Sequence, residues 1–344
     1  MIWIDISFVN NNKTGIGAYT NMIIDILKNK QLPYKCLQLN LPEEIKWKSV
    51  WQILWLNSIV YLKTLIKTPQ YFISPAFIIP NLTYTKTKYI VTIHDLCSLR
   101  KNEMTKLFSL INRLSINNSV KKADKIITVS NTIKQELIEK FNINPDRVKV
   151  VYNSVPEHFF NAEINSNVLD KYKIQQNKYI LSVATLNKRK NIPELIKAFE
   201  YISDKYPDLK LVLVGGMGNE NREKLTKHPN IIFTGYIPDE DVPTLYKNAL
   251  LYMYPSLYEG FGIPLIEAQY CGCPVLCSDI PVFREIGANS VEYCKPNSKD
   301  IATGLEKLIN NPDRLRELSG LGKNNIKRFD KEIITKQILE MING

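Results

Sequence analysis

The sequence predicts an α/β protein with two doubly wound domains, each built on a parallel sheet. Short β-prone apolar runs alternate with helical patterns in two series, the first starting at Ile2 and the second at Tyr179. A polar stretch, 156–177, separates the two series and is interpreted as the interdomain linker region. A chain of 344 residues is also more typical of two domains than of one. We therefore expect domains at 1–155 and 156–328.

The positive charge is concentrated in the first half of the chain. Residues 1–150 contain 21 Lys and Arg against 10 Asp and Glu, whereas the remaining residues contain 24 of each, so the net charge of +11 belongs to the first series. This asymmetry favours a partner with phosphates, such as a membrane surface, a lipid-linked phosphate or nucleic acid. A lysine-rich, solvated surface is the alternative.

The cysteines and the N-terminal segment indicate a cytoplasmic protein. The six cysteines form no C-x-x-C pair and no histidine set accompanies them for zinc, which is typical of apolar fillers in a reducing compartment. No basic segment followed by an apolar one opens the chain, so we expect no secretory signal. The longest uncharged aromatic-rich run, 49–62, is shorter than the ~20 residues that a spanning helix needs.

A glycine-containing loop follows the first predicted strand, 2–6. Gly15 and Gly17 then open an amphipathic helix, the arrangement of dinucleotide-binding domains. The third glycine of that fingerprint is replaced by Thr20, and no acid stands about twenty residues further on. A nicotinamide cofactor is therefore poorly supported, although such a loop can present backbone N–H groups to a pyrophosphate.

Residues 43–67 are predicted to form one long amphipathic helix. It carries three of the four tryptophans and has lysines at both ends. Such a helix can lie in a membrane interface or pack on the sheet of its own domain, and both interpretations stay open. The apolar positions at helical spacing are Trp47, Val50, Trp51, Leu54, Trp55 and Leu62.

Two further segments place polar side chains where strands end. His94 and Asp95 follow the β-prone run 89–93, and ligands of open parallel sheets bind beyond the carboxyl ends of strands. A structural histidine is the alternative for His94. In the second series, Lys188 to Lys190 stand between a strand and a helix predicted at 192–204, where charge and helix dipole together favour an anion.

The most informative stretch is 254–280, which contains Glu259 and Glu267 with two glycines and a proline between them. Pro264 is typical of a first helical turn, so a helix is predicted from Pro264 to Cys271, ending at Gly272. Glu267 would then lie in its first turn. The N–H groups at such a helix start suit phosphate or another anion, and the two acids near it are either functional or simply complement the helix dipole.

This stretch resembles a known motif. Glu259-Gly260-Phe261-Gly262 followed by Leu265-Ile266-Glu267-Ala268 is similar to the E-x7-E motif of retaining glycosyltransferases of family 4, and Cys271 to Val275 fits the usual continuation. The resemblance covers nearly the whole chain and is weakest at 30–70, where acceptor specificity would lie. It implies a GT-B fold, with two Rossmann-like domains facing a central cleft. It also implies that a final helix, 329–344, crosses back to the first domain.

The resemblance assigns roles to individual residues. As catalytic residues it indicates Glu259, His94, Arg189 and Lys190. As donor-binding residues it indicates Gly15, Gly17, Asp95, Tyr236, Ile237, Phe261, Gly262, Ile263 and Glu267. Arg189 and Lys190 would neutralise the donor diphosphate, Glu267 would bind the ribose, and Glu259 and His94 would hold the sugar. No cofactor and no metal are expected, since no D-x-D cluster stands in a suitable loop.

The implied function is hexose transfer from a nucleotide diphosphate sugar, with retention and with a GDP-mannose-like donor favoured. The acceptor would be a glycan or a lipid-diphosphate-linked glycan of a surface polysaccharide such as O-antigen or capsule. Same-face attack is favoured over double displacement. Residues 43–67 would contact the inner face of the membrane peripherally. No nucleic-acid-binding module is recognisable.

Three other functions remain as alternatives. A non-catalytic nucleotide-sugar-binding subunit would keep the same motifs, and a sugar-nucleotide epimerase could have the same fold. A phosphorylase would need a lysine-bound pyridoxal phosphate and a far longer chain.

Overall fold

The computed structural model describes residues 1–7, 15–41, 48–100, 106–165, 167–216 and 225–343. The chain divides into two compact units, Met1–Asn153 with Glu332–Gly344 and Ser154–Lys331. The chain leaves the first unit after Asn153, close to the predicted boundary at residue 155. It returns to the first unit at Glu332, shortly after the predicted boundary at residue 328.

The first unit contains six parallel strands within its described residues, in the order β2-β1-β3-β4-β5-β6. Parallel sheets are covered on both faces, and accordingly every residue of the first and third strands is buried. The strands are β1 (Ile2–Asp5), β2 (Tyr34–Leu37), β3 (Tyr71–Ser74), β4 (Lys88–Ile93), β5 (Lys125–Thr128) and β6 (Val148–Val150). The helices of residues 1–153 are α1 (Gly15–Asn29), α2 (Lys48–Trp55), α3 (Tyr61–Lys67), α4 (Lys106–Lys122) and α5 (Asn131–Phe141).

The predicted long helix is present from residue 48 onward, and the part before it, including Trp47, lies outside the described residues. A π-helical segment, Leu56–Val60, joins α2 to α3. The predicted apolar stripe is not the buried side of this helix. Its buried positions are Gln52, Leu56, Val60 and Thr64, whereas Trp51, Leu54 and Leu62 are exposed. Gln52 is buried because its Nε2 donates to Oδ2 of the buried Asp5, at 3.0 Å.

The second unit repeats the architecture, with described strands in the order β12-β11-β10-β7-β8-β9. Its strands are β7 (Tyr179–Val183), β8 (Lys210–Val214), β9 (Ile231–Gly235), β10 (Leu251–Tyr254), β11 (Val275–Ser278) and β12 (Glu292–Cys294). The helices with fully described bounds are α6 (Asn167–Lys171), α7 (Ile192–Ile202), α8 (Val242–Asn248), α9 (Ile263–Tyr270), α10 (Pro281–Gly287), α11 (Ser298–Ile309) and α12 (Pro312–Asn325). The strand order reverses between β7 and β10, and ligands of open sheets bind beyond strand ends at such a point.

The polar stretch 156–177 is not a linker, as its composition suggested, but an integral part of the second unit. It contains a short 3₁₀ turn, Glu157–Phe159, and the helix α6. Phe159, Val168 and Ile174 are buried. Three apolar anchors therefore hold an otherwise polar segment against the second unit, which a composition average cannot reveal.

The C-terminal helix α13 (Lys331–Asn343) packs in the first unit. Ile334, Ile338, Met341 and Ile342 join the same core cluster as Ile2 and its neighbours in the first sheet. Lys125 Nζ donates to the carbonyl of Met341 at 2.8 Å. The chain thus returns to the first unit after completing the second, as the family resemblance implies. Within the described ranges, no helix combines the length and apolar character needed to cross a bilayer.

Candidate functional site

The loop after β7 presents two cations at the carboxyl edge of the second sheet. Lys188–Lys190 form one 3₁₀ turn, in which the Asn187 side chain accepts from Lys190 N at 3.1 Å. Asn191 follows with a left-handed φ of 56° and starts α7, where Pro193 occupies the first turn. Asparagine tolerates this conformation better than most residues. The turn leaves Lys188 exposed and directs Arg189 and Lys190 to a partly buried position.

Both cations bind one carboxylate, that of Glu259. Arg189 Nη1 lies 2.6 Å from Glu259 Oε2, and Lys190 Nζ lies 2.6 Å from Oε1. Arg189 Nη1 also donates to the Tyr258 carbonyl at 2.8 Å. The backbone joins the same loops, since Leu257 N donates to Arg189 O at 2.8 Å. We call Arg189, Lys190 and Glu259 the ion triad, and its formal charge is +1.

The triad keeps Glu259 ionised in a buried place. Burial alone raises the pKa of Glu259, since only 8% of the residue is exposed. The charges of Lys190 and Arg189, together with the Lys190 hydrogen bond, outweigh burial, and the pKa falls below its ordinary value. An ionised carboxylate can accept hydrogen bonds but cannot donate a proton.

Tyrosines that the sequence interpretation did not single out support the triad. Lys190 Nζ lies 3.2 Å from the Tyr254 hydroxyl and 5.2 Å from its ring centroid. The Tyr254 ring packs 4.6 Å from Phe283 and 5.6 Å from Tyr252, which in turn lies 5.2 Å from Tyr246. Tyr252 and Tyr254 are two positions apart in β10 and therefore share one face. That alternation was the available signal in the sequence.

Glu267 lies in the second turn of α9, not in the first as predicted, because the helix begins at Ile263. The Tyr246 hydroxyl donates to Glu267 Oε2 at 3.1 Å. Burial raises the pKa of Glu267 to about 7, although the Tyr246 hydrogen bond opposes the shift. The two acids of the motif thus differ in environment, since Glu259 stays ionised and Glu267 titrates near neutral pH.

The start of α9 requires glycine at position 262. Gly262 has a φ of 103°, and a Cβ there would lie 2.9 Å from Phe283 Cε1. Ile263 and Pro264 then begin the helix. Pro264 has no N–H and Leu265 N donates to the Gly262 carbonyl at 2.9 Å, so an anion would meet the N–H of Ile263. The Phe261 ring is buried and lies edge-on to Phe329, with 5.5 Å between centroids. Its side chain is therefore structural, and only its backbone can meet a donor.

An exposed tyrosine ring follows β9. Tyr236 is 62% exposed, and a Cβ at Gly216 would lie 2.5 Å from Tyr236 Cε2. Gly216, which was not among the predicted site residues, therefore allows the tyrosine ring to lie against the loop after β8. Ile237 beside it is half-buried. The loops that carry the two cations, Gly216, Tyr236 and Glu259 follow β7, β8, β9 and β10, which are neighbours in the parallel sheet, so these loops gather at one edge.

The predicted residues of the first unit occupy the end of β4 and the start of α1. His94 Nε2 lies 2.8 Å from the Pro75 carbonyl, and its ring meets Tyr19 edge-on at 4.8 Å. Burial lowers the pKa of His94, against the opposing effects of Pro75 and Asp95. A carbonyl only accepts, so Nε2 carries the hydrogen and neutral His94 has an acceptor at Nδ1.

The remaining candidates of the first unit have more local roles. Asp95 Oδ1 accepts from Cys97 N at 2.9 Å and so caps the turn that follows β4. Gly15 and Gly17 lie in the first turn of α1, not in a loop, and residues 8–14 before them lie outside the described ranges. In the described part of the chain, no three acidic, histidine or cysteine side chains converge as they would around a metal ion.

Two family models match the chain in successive segments. Residues 66–159 match Glycosyltransferase Family 4, and residues 166–328 match Glycosyl transferases group 1. Among curated proteins, the chain is similar to the O-antigen chain mannosyltransferase B of Escherichia coli, with 32% identity over 238 residues. That alignment covers 65% of this chain and 62% of the relative, so the chain spans less than two thirds of the relative's length.

Solved structures show the same architecture. Sucrose-phosphate synthase from Thermosynechococcus elongatus superposes with a TM-score of 0.78 at 15% identity, covering 100% of this chain and 98% of that one. The Anabaena protein HepE, in complex with UDP, superposes with a TM-score of 0.75 at 18% identity, covering 99% of each chain. At these identities the likeness establishes the fold alone, which is GT-B. The two matched family models and this fold together identify the chain as a family 4-like glycosyltransferase.

Proposed function

We propose that the protein transfers a hexose from a nucleoside diphosphate sugar to an acceptor hydroxyl, with retention of anomeric configuration. The observation that carries this proposal is the ion triad at the carboxyl edge of the second sheet. Its two cations and one carboxylate offer a net charge of +1 to a diphosphate, and the start of α9 adds the backbone N–H of Ile263 from the same loop region.

The chemistry assigned to the triad is stabilisation of a leaving group. The bond between the anomeric carbon and the β-phosphate oxygen breaks, and its electron pair stays on the phosphate. Arg189 and Lys190 stabilise the charge that develops there. Glu259, held ionised, accepts hydrogen bonds from sugar hydroxyls and favours the positive charge that develops on the sugar ring.

Retention is assigned to a same-face attack. In this route the acceptor hydroxyl forms the new bond on the face that the diphosphate leaves, and its proton passes to the departing phosphate oxygen. Double displacement would need a free carboxylate nucleophile at the anomeric carbon. Both oxygens of Glu259 are 2.6 Å from cations, which makes this carboxylate a poor nucleophile. No metal and no cofactor take part in the proposed step.

Other residues complete the donor assignment. Glu267 would accept from the ribose hydroxyls, and Tyr236 with Ile237 would hold the base. His94 would use Nδ1 to accept from a sugar hydroxyl. Gly15, Gly17 and the backbone of Phe261 to Ile263 would approach the pyrophosphate. Asp95 would act on the donor only through its position beside His94.

A GDP-mannose-like donor is favoured, because the curated relative is named as a mannosyltransferase. The proposed acceptor is a glycan, free or linked to a lipid diphosphate, in the assembly of an O-antigen or capsule. The positive charge of the first half of the chain supports a phosphate-bearing acceptor.

The proposal is tested by thermal stabilisation with a panel of nucleoside diphosphates, their sugars and NAD, followed by transfer assays with the donor that stabilises most. A bound nucleotide at a hundredfold excess over Kd adds about 2.7 kcal/mol of stability. We expect one nucleoside diphosphate to stabilise the protein, and the sugar product to keep the donor's anomeric configuration by NMR. Stabilisation by NAD alone would overturn the proposal. Binding without transfer to any glycan would favour the non-catalytic subunit, and an altered free sugar nucleotide would favour the epimerase.

A further inference from the structure

Lys190, one of the two cations of the ion triad, has a second partner besides Glu259. Its Nζ donates to the Tyr254 hydroxyl at 3.2 Å and lies 5.2 Å from the centroid of that ring. Among the described residues, Glu259 and Tyr254 are the two side chains that accept from this ammonium. An ammonium has three N–H donors, so one of them stays available to a ligand. The direction of that third N–H decides whether it can meet a phosphate.

The Tyr254 ring is fixed by its surroundings. The residue is 1% exposed, and its ring centroid lies 4.6 Å from that of Phe283 and 5.6 Å from that of Tyr252. Gly262 lies against the same ring, since a Cβ there would be in van der Waals contact with Tyr254 Cε1 at 3.6 Å. Close packing of this kind restricts side-chain movement. The hydroxyl is therefore held in one place between Lys190 and the start of α9.

The Tyr254 hydroxyl keeps its proton. Burial raises the pKa of Tyr254 well above its ordinary value, and the charge of Glu259 and a hydrogen bond to it add to the rise. The charge of Arg189 opposes this rise without cancelling it. A protonated phenol can accept from Lys190 with its oxygen and donate its hydrogen to Glu259. The hydroxyl can therefore join the two charged partners without changing the charge of the triad.

A second fixed acceptor restricts the position of a flexible cation. Lysine carries its ammonium on a stem with several rotatable bonds. With Glu259 as its single acceptor, the ammonium could swing around that contact, whereas a second acceptor on Tyr254 fixes the position of Nζ. The third N–H then keeps one direction. Because this order exists before a ligand binds, binding does not have to create it.

We propose that Tyr254 is a positioning residue that acts through Lys190 and holds the third N–H of the ammonium toward the β-phosphate of the donor. This inference rests on the proposed transferase function and gives a part in it to a residue outside the predicted site. The β-phosphate gains negative charge as its bond to the anomeric carbon breaks. A displaced cation therefore weakens the transition state more than the complex with the donor. The free nucleoside diphosphate already carries that extra charge.

The test is Tyr254→Phe, which keeps the packed ring and removes the hydroxyl. We expect kcat for transfer to fall about tenfold, and the affinity for the nucleoside diphosphate that stabilises the protein most to fall comparably. KM for the sugar nucleotide should stay within about twofold. In a Lys190→Ala background, Tyr254→Phe should change neither quantity by more than about twofold, because no ammonium is left to position. Equal effects in the two backgrounds would overturn the proposal.

Tyr179→Phe is the matched control. It removes another buried hydroxyl of the second sheet, which donates to the Leu245 carbonyl at 2.6 Å. We expect this control to lower the unfolding temperature and to leave kcat and the affinity for the nucleoside diphosphate unchanged. If Tyr254→Phe had the same effects as the control, its hydroxyl would contribute to stability alone and the proposal would be wrong.

A separate measurement does not depend on the reaction. Acylation of Lys190 by acetic anhydride, followed by mass spectrometry, reports how firmly its amine is held. We expect acylation to be roughly fivefold faster in Tyr254→Phe than in the wild type or in Tyr179→Phe. Unchanged acylation, in a protein whose wild type transfers sugar, would overturn this inference alone. Faster acylation in a protein that neither binds a nucleoside diphosphate nor transfers a sugar would instead overturn the proposed function.

Discussion

Lys190 Nζ lies 2.6 Å from Oε1 of Glu259, although the two residues are 69 positions apart in the chain. Each compensates for the burial of the other, and Arg189 binds the second oxygen of the same carboxylate. A carboxylate shared by two cations leaves one positive charge in excess. The buried carboxylate is therefore paired when no ligand is bound, and the remaining positive charge can still attract a diphosphate.

Replacing Glu259 should separate nucleotide binding from transfer. Glu259→Gln leaves Arg189 and Lys190 without their carboxylate, so we expect a stability loss of about 3 kcal/mol. A nucleoside diphosphate then meets two uncompensated cations and should bind more tightly, while the transfer rate falls at least about a hundredfold. Calorimetric titration and initial rates measure the two effects.

The matched control is Glu306→Gln, which removes a solvent-exposed ion pair with Lys205. This control should lower the free energy of unfolding by less than about 1 kcal/mol and leave the transfer rate unchanged. If the folded Glu259→Gln variant lost nucleotide affinity, Glu259 would position the cations instead of competing with the phosphates for them.

Glu267 should make stability depend on pH near neutrality. Its folded pKa is about 7, above the ordinary 4.5, so the folded state keeps a proton that the unfolded state releases between these values. The free energy of unfolding should therefore fall as pH rises through this window, by up to about 3 kcal/mol. Urea unfolding at about pH 5 and about pH 8 measures the change. Glu267→Gln should remove this component.

Tyr246→Phe provides a second check on the same carboxylate. The variant removes the hydrogen bond that lowers the pKa of Glu267, so the loss of stability with rising pH should extend to higher pH. If the ribose hydroxyls donate to Glu267, nucleotide affinity of the wild type should increase as pH rises through 7. A pH-independent affinity would remove Glu267 from the ribose contact.

Glycine at position 262 should be indispensable. Gly262→Ala places a side chain at a φ of 103° and brings Cβ to within 2.9 Å of Phe283. We therefore expect the free energy of unfolding to fall by about 2–4 kcal/mol. Gly320→Ala is the control, because that helical glycine has open space where the methyl group of alanine would lie. The Gly320→Ala variant should raise the free energy of unfolding by up to about 1 kcal/mol. Equal effects at the two positions, measured by thermal unfolding, would contradict the backbone argument.

Gly216 should affect ligand binding more than stability. A methyl group there meets the far end of the Tyr236 ring, which can rotate into solvent. Gly216→Ala should therefore change the unfolding free energy by less than about 1 kcal/mol and weaken nucleotide affinity to the level of Tyr236→Ala. Unchanged affinity in both variants would exclude Tyr236 from the base contact.

Local features of the sequence were sufficient to predict most elements. Proline at 264 and glycine at 272 bracket α9, since Pro264 lies in its first turn and Gly272 has a φ of 74°. Both preferences arise from the residue's own sterics and need no tertiary context. Such local preferences do not fix a helix boundary to the residue. The helix α9 starts one residue before Pro264, and Glu267 therefore falls in its second turn.

Predictions that depended on long-range packing were less successful. The stretch 156–177 has a linker's composition, yet three buried apolar residues attach it to the second unit. In the helix that ends at Lys67, the buried side carries Gln52 and Thr64, while Trp51 and Leu62 face solvent. Which side of a helix is buried depends on its neighbours, here on the buried carboxylate of Asp5.

The sequence by itself determined the α/β alternation, the two-unit organisation and the two acids of the motif, because apolar periodicity and special backbone residues act over a few positions. Only the tertiary structure decided that Arg189 and Lys190 share Glu259. That pairing exists because β7 and β10 are neighbours in the sheet, which brings the loops that follow them together. Strand order is set by the packing of the whole domain, and no local pattern in the chain encodes it.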